Sequence, residues 1–152
     1  MDDTDEPLDL PKDPATRPAY VLDAQIGYLL RRATQRHLSI FAALIPGLTT
    51  TQFAALARLA ELGPMSQNRL GRETAMDAAT IKGVVDRLRT QGLVTSAADP
   101  DDRRRLTVRL SEKGAEVFDA TKAQALEVSA RTLAPLNRSE QARLLALLAR
   151  LT

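Results

Sequence analysis

Residues 77–110, DAATIKGVVDRLRTQGLVTSAADPDDRRRLTVRL, decide the fold. The first part repeats Ile81, Val84, Val85 and Leu88 at helical spacing, behind an aspartate able to cap a helix N-terminus. Gly92 stands where a helix ends in the left-handed conformation. The spacing therefore predicts a helix of about fourteen residues beginning at Asp77. Residues 93–96 and 106–110 that follow are β-prone, and the Asp-, Pro- and Arg-rich segment between them is a turn. A helix followed by a hairpin with a basic tip is the expectation.

Working upstream, residues 66–73 predict a short helix with Ser66 as N-cap and Leu70 facing inward, and Thr74, Ala75 and Met76 turn the chain into the Asp77 helix. This is helix–turn–helix spacing. Residues 20–45 contain no proline and repeat Leu22, Ile26, Leu29, Leu30, Ala33, Ile40, Phe41 and Leu44 at three-and-four spacing, a long amphipathic helix stopped by Pro46-Gly47. Thr49 and Gln52 form a capping box for the next helix, which Gly63-Pro64 closes. Downstream, Ser111 starts a helix to about Leu133, and Asn137 with Glu140 caps a final Leu-rich one. The class is mostly α (α+β), with about six helices and a two-stranded hairpin.

Composition agrees: 152 residues suit one domain, and 44% hydrophobic with 3% aromatic residues suits Ala- and Leu-rich helices better than a β-sandwich. With no cysteine there is no disulfide framework or thiolate site, and a lone histidine leaves no metal centre to expect. The same poverty argues against an enzyme, since no nucleophile stands beside an evident base, and no cofactor is expected. The N-terminus lacks an apolar leader and no stretch reaches the roughly 18 apolar residues of a membrane span, so the cytoplasm is the expected location.

Net charge is only +2, but residues 1–19 hold six carboxylates and four prolines against Lys12 and Arg17. They read as a flexible acidic arm, and the remainder, residues 20–152, as a basic single domain compatible with a polyanion partner. On the Asp77 helix, turning the apolar residues inward places Ala79, Lys82, Gly83, Asp86 and Arg87 outward. A B-DNA major groove is about 12 Å wide, so a helix entering it needs small residues where backbone approaches and polar ones where bases are read. Ala78, Ala79, Thr80 and Gly83 meet the first need, and Thr80 and Lys82 the second. Gly83 otherwise costs about 1 kcal/mol of helix stability, which implies close approach by DNA or by another helix. Arg103, Arg104 and Arg105 at the hairpin tip suit a narrow minor groove, or else pair with the turn's own aspartates. Ser66, Gln67 and Asn68 fit a phosphate contact, with Ser66 equally a plain cap. Asp86 is expected to pair with a wing or helix arginine.

The segment DPDDRRRLTVRLSEKG, residues 99–114, resembles the wing signature of the MarR family of transcription regulators: Asp-x-Arg, a strand, then Leu-Thr-x-x-Gly. Asp102, Arg104, Leu110 and Gly114 stand in the signature positions, with Ser111 replacing the threonine. AATIKGVVDRLRTQGLV, residues 78–94, is similar to the family's recognition helix and following strand. The resemblance implies a winged helix-turn-helix fold with a DNA-binding lobe at about 48–110 and dimerisation helices at 20–45 and 111–152. It further implies a homodimer on a double-stranded DNA operator, Arg104 in the minor groove, and Asp102 bracing the wing, through Arg87. Many members leave DNA when a small aromatic or phenolic ligand binds. GYLLRRATQRH and SQNRLGRETAMDAAT look like members governing aromatic acid catabolism, which suggests an aromatic acid or its thioester as effector.

For that effector, His37 falls on the first helix's apolar stripe with Phe41, and is either a hydrogen-bonded core histidine or a pocket residue acting with Tyr28, Arg31 or Arg32. Leu144, Leu145, Leu147, Leu148 and Leu151 span too wide an arc for one chain's core, so the last helix should meet its twin. The expected function is a repressor released from a pseudo-palindromic operator by such a ligand. The alternative is a winged-helix protein–protein adaptor without specific DNA readout.

Overall fold

The structure is a computed structural model that describes residues 11–152. Asp2, Asp3, Asp5, Glu6 and Asp9, most of the expected acidic arm, lie outside the described residues. Six α-helices and three strands follow in the order α1 (Ile26–Leu44), α2 (Thr50–Leu62), β1 (Met65–Ser66), α3 (Gln67–Glu73), α4 (Ala78–Thr90), β2 (Val94–Ala98), β3 (Leu106–Leu110), α5 (Glu112–Leu133) and α6 (Arg138–Ala149).

The described residues fall into two compact units, residues 11–34 and residues 35–152. In the first, Asp13 caps a 3₁₀ turn at Pro14–Thr16, and a second turn at Leu22–Ala24 precedes α1. The first helix thus begins later than its apolar spacing predicts. Val21 and Gln25 hold extended backbone, and the Gln25 side-chain amide donates to the Val21 carbonyl at 2.9 Å, occupying an acceptor that a continuous helix would use. Tyr20, Val21, Leu22, Ile26, Leu29 and Leu30 of this unit are exposed.

In the second unit, α2, α3 and α4 pack around Leu56, Leu70, Ile81, Val84, Val85 and Leu88, all under 2% exposed. The predicted inward face of α4 is therefore the observed one. Both predicted capping boxes form: Thr49 with Gln52 at α2, and Asn137 with Glu140 at α6. The turn between α3 and α4 is tight enough that a β-carbon on Gly71 would meet Ile81 Cγ2 and the Met76 carbonyl oxygen, each at 3.1 Å, and Ala75 takes a positive φ of 53° to make it.

The sheet has three strands rather than the hairpin's two, in the order β1-β3-β2 and antiparallel throughout. Met65 pairs with Val108 and Ser66 with Thr107, while Val94 pairs with Leu110 and Ala98 with Leu106. A two-residue strand is too short to show alternation in sequence, so its pairing is tertiary information. Met65, Val94 and Val108 close the core from the sheet side. Ser111 caps α5, and its hydroxyl also donates to the Gly92 carbonyl at 2.5 Å, fastening α5 to the end of α4.

Candidate nucleic-acid interface

The outward face of α4 is built from its first turn. Asp77 Oδ1 accepts the Thr80 backbone N–H at 2.7 Å, which holds the Asp77 carboxyl below the usual carboxylate range. Ala79 and Thr80 follow on an exposed surface with small side chains. Around Gly83 no other helix comes near: the nearest atoms to an added β-carbon are the Arg87 guanidinium's, from 3.5 Å. Among the described residues no other helix supplies the close approach that glycine implied; the Arg87 side chain lies over it instead.

Asp86 answers to the protein, as expected, but through two partners. Lys82 Nζ lies 2.7 Å from Oδ2 and Arg89 Nη1 lies 3.0 Å from Oδ1. The Lys82 hydrogen bond is the main reason the Asp86 carboxyl sits below its usual range. Arg89 also donates from Nη2 to Ser96 Oγ at 2.7 Å, linking the last turn of α4 to β2 of the wing. Lys82, read from sequence as a base contact, therefore shares its charge with Asp86.

The wing turn is ordered by its own polar groups. Asp99 N–H donates to the Arg105 carbonyl at 2.8 Å, and the Asp101 N–H to Asp99 Oδ1 at 2.9 Å. Asp102 Oδ1 accepts the Arg104 N–H at 3.0 Å, and Oδ2 lies 3.9 Å from Arg105 Nε. Asp102 thus braces the turn locally. Among the described ion pairs it is not joined to Arg87, because its carboxylate is held inside the turn. Arg103, Arg104 and Arg105 are all exposed, and of the three only Arg105 stands in a described ion pair. At the other flank, Ser66 Oγ accepts the Arg69 N–H at 3.3 Å, so it is a helix cap, with Gln67 half-buried and Asn68 exposed.

The residues expected around an effector are placed differently. Phe41 is 5% exposed and edge-on to Phe53 at 6.0 Å between ring centroids, which makes it a core residue. His37 is half-buried, with Nδ1 3.0 Å from Thr132 Oγ1. That hydroxyl also lies 2.8 Å from the Val128 carbonyl, to which it can donate. Arg31 is exposed, and the Arg32 guanidinium lies 5.9 Å from the centre of the Tyr28 ring. A groove of about 520 Å³ that sequence reading missed runs between α2 and α5, lined by Phe53, Ala57, Phe118, Leu126 and Ser129. Phe53 and Phe118 pack on each other, 5.6 Å between ring centroids, and form one aromatic wall. The missed signal was Phe118, read only as one more apolar position on its helix.

Among the described residues no helix is long and apolar enough to cross a membrane, and no cluster of His, Cys, Asp or Glu is arranged to hold a metal ion.

Residues 47–105 match the family model described as MarR family. The chain is 42% identical over 137 residues to the HTH-type transcriptional repressor NicR of Pseudomonas putida, covering 89% of this chain and 87% of that one. It superposes on a probable transcriptional regulator from Pseudomonas aeruginosa with a TM-score of 0.84 at 56% identity, covering 87% of this chain and 100% of that one. A third likeness is to Bordetella bronchiseptica BpsR, from a structure titled for regulation of its DNA binding by 6-hydroxynicotinic acid: TM-score 0.84, 35% identity, 88% of this chain and 97% of that one. With the recognition helix, the three-stranded wing and these likenesses in agreement, the chain belongs to the MarR family of winged helix-turn-helix regulators.

Proposed function

We propose that this chain is a transcriptional repressor that binds a pseudo-palindromic duplex operator as a homodimer and is released by a small aromatic acid or its thioester. The observation that carries the reading is the pairing of an open, small-residue face on α4 with a basic wing tip, the two tied together by Arg89 and Ser96. In this reading Ala79, Thr80, Lys82, Gly83 and Arg87 enter the major groove, Arg104 with Arg103 and Arg105 enters the minor groove, and Ser66, Gln67 and Asn68 meet phosphate. Two recognition helices on a two-fold axis would read grooves about 34–36 Å apart.

Dimerisation is supported by exposed Leu145, Leu147 and Leu151 near the C-terminus, more apolar surface than a lone helix leaves to water. For the effector, the groove between α2 and α5 suits a flat ring, which could lie against the joint face of Phe53 and Phe118. The repressor name of one relative supports repression, and the 6-hydroxynicotinic acid that regulates another supports a heteroaromatic acid. His37, in the same unit as the groove, is the side chain to test as its polar partner.

The test is an electrophoretic shift of the DNA upstream of the chain's own gene against scrambled DNA over a salt series. Specific, salt-dependent binding that falls on adding 6-hydroxynicotinate supports the whole reading. Specific binding untouched by aromatic acids removes the effector alone. Equal binding to both DNAs removes the operator and favours the adaptor.

A further inference from the structure

A second cavity, of about 400 Å³, lies on another face of α5, where the α1–α2 connection, the end of α4 and the first half of α5 meet. Pro46, Leu48, Leu93 and Val117 give it apolar walls, and Gln91, Lys113 and Gln124 bring polar groups to it. Its volume falls within the range of small-molecule pockets and suits one ring with a substituent.

Charge sets it apart from the two grooves of about 520 Å³ that α2 makes with α5 and with α3. In the Phe53–Phe118 groove the one cation, Lys122, is paired with Asp119 at 2.9 Å. The groove between α2 and α3 places Glu61 and Glu73 beside Arg58 and Arg72, and Arg58 is already bound to Glu61 at 2.7 Å. Lys113 is the only charged residue lining the α4–α5 cavity, and it has no carboxylate partner among the described ion pairs. Its ammonium spends one hydrogen on the Gln91 carbonyl, 2.9 Å away, leaving two for a guest. An apolar chamber with a single uncompensated cation at its rim, and amides able to donate beside it, is complementary to a small monocarboxylate.

We infer that this cavity is a binding site for a small ring-bearing monocarboxylate, held by Lys113 and separate from the effector groove between α2 and α5. The carboxylate bonds the two free ammonium hydrogens, the ring lies against Leu93 and Val117, and the Gln91 and Gln124 amides flank the anion. Because Lys113 also holds the carbonyl that ends α4, the guest sits on the joint between recognition helix and α5.

Benzoate is the probe, with uncharged benzamide as its control, titrated into the full chain while the methyl signals of Leu93 and Val117 are followed by NMR. Saturable shifts with benzoate, at least tenfold weaker with benzamide and in Lys113→Met, are expected. In Lys113→Glu the preference should invert, with benzylamine moving the same signals and benzoate failing to. Phe118→Ala, which opens the other groove, should leave benzoate binding at Leu93 and Val117 within twofold. Unmoved Leu93 and Val117 signals in the wild-type chain, or shifts that survive both Lys113 substitutions, overturn the inference whatever happens at the Phe53–Phe118 groove.

Discussion

Gly114 packs so closely on Leu93 that a β-carbon there would overlap the Leu93 carbonyl oxygen and come within 2.9 Å of its carbonyl carbon. The same carbonyl accepts the Ser111 N–H at 3.0 Å, so backbone meets backbone and no side chain is available to give way. Gly114→Ala should destabilise the fold by about 3 kcal/mol, since overpacking costs about 1–3 kcal/mol and here the obstacle is rigid. Urea denaturation would show it as a lower midpoint at unchanged slope.

If the wing tip enters the minor groove as proposed, Arg104→Ala should weaken operator binding about tenfold or more and flatten the salt dependence by about one counterion, because it removes a charge from that contact. Arg104→Lys should recover part of the affinity and less of the specificity. Fluorescence anisotropy across a salt series measures both, and an unchanged slope for the alanine variant would refute the wing contact.

Asp86→Asn frees Lys82 and Arg89 from their shared carboxylate. The variant should bind nonspecific DNA more tightly, with a steeper salt dependence, and the ratio of operator to nonspecific affinity should fall. Little change in stability is expected, since exposed ion pairs contribute about 0–1 kcal/mol. Competition against sheared genomic DNA reads the ratio directly.

Leu147→Glu places a carboxylate on the exposed apolar face of α6. If two copies meet there, the substitution should convert dimer to monomer at micromolar concentration and cost at least a hundredfold in operator affinity through loss of the second reading head. Sedimentation velocity decides it: a variant that sediments like the wild type would exclude this face from the interface.

Acid should release the cap of α4. The Asp77 carboxyl is held below its ordinary value by the Thr80 N–H, so it titrates lower in the folded chain than in the unfolded one. Its contribution is fully present above the unfolded value of about 3.9 and is lost as pH falls through the lower folded value. Asp77→Asn keeps a capping oxygen but cannot titrate. Stability of the two proteins compared from pH 7 to pH 2.5 should therefore differ in slope only at the acidic end.

What could be read from sequence was what is local. Ile81, Val84, Val85 and Leu88 announce a buried helix face by spacing alone, and Thr49–Gln52 and Asn137–Glu140 announce helix starts by their reciprocal bonds. The basic tip at Arg104 was legible for the same reason, as a turn composition between β-prone runs. What escaped depends on partners distant in the chain. Met65 becomes a strand only because Val108 pairs with it, and Lys113 becomes a cavity residue only because Gln91 ends its helix alongside. Phe41 shows the converse: its stripe position was legible, but that it packs edge-on against Phe53, from another helix, was not. The late start of α1 is a competition that spacing does not register, since a glutamine side chain took the carbonyl a helix needs.

The pairing of Ser66 with Thr107 gives the molecule a fixed gauge. The start of α3 and the wing are two jaws on either side of α4, and the short strand between them welds one to the other. A shift of the wing is thereby passed to α3 instead of being absorbed by a loose turn. If α3 meets phosphate and the wing the minor groove as proposed, the two contacts are held at a set spacing, and an operator with the right bases but the wrong groove width should bind more weakly.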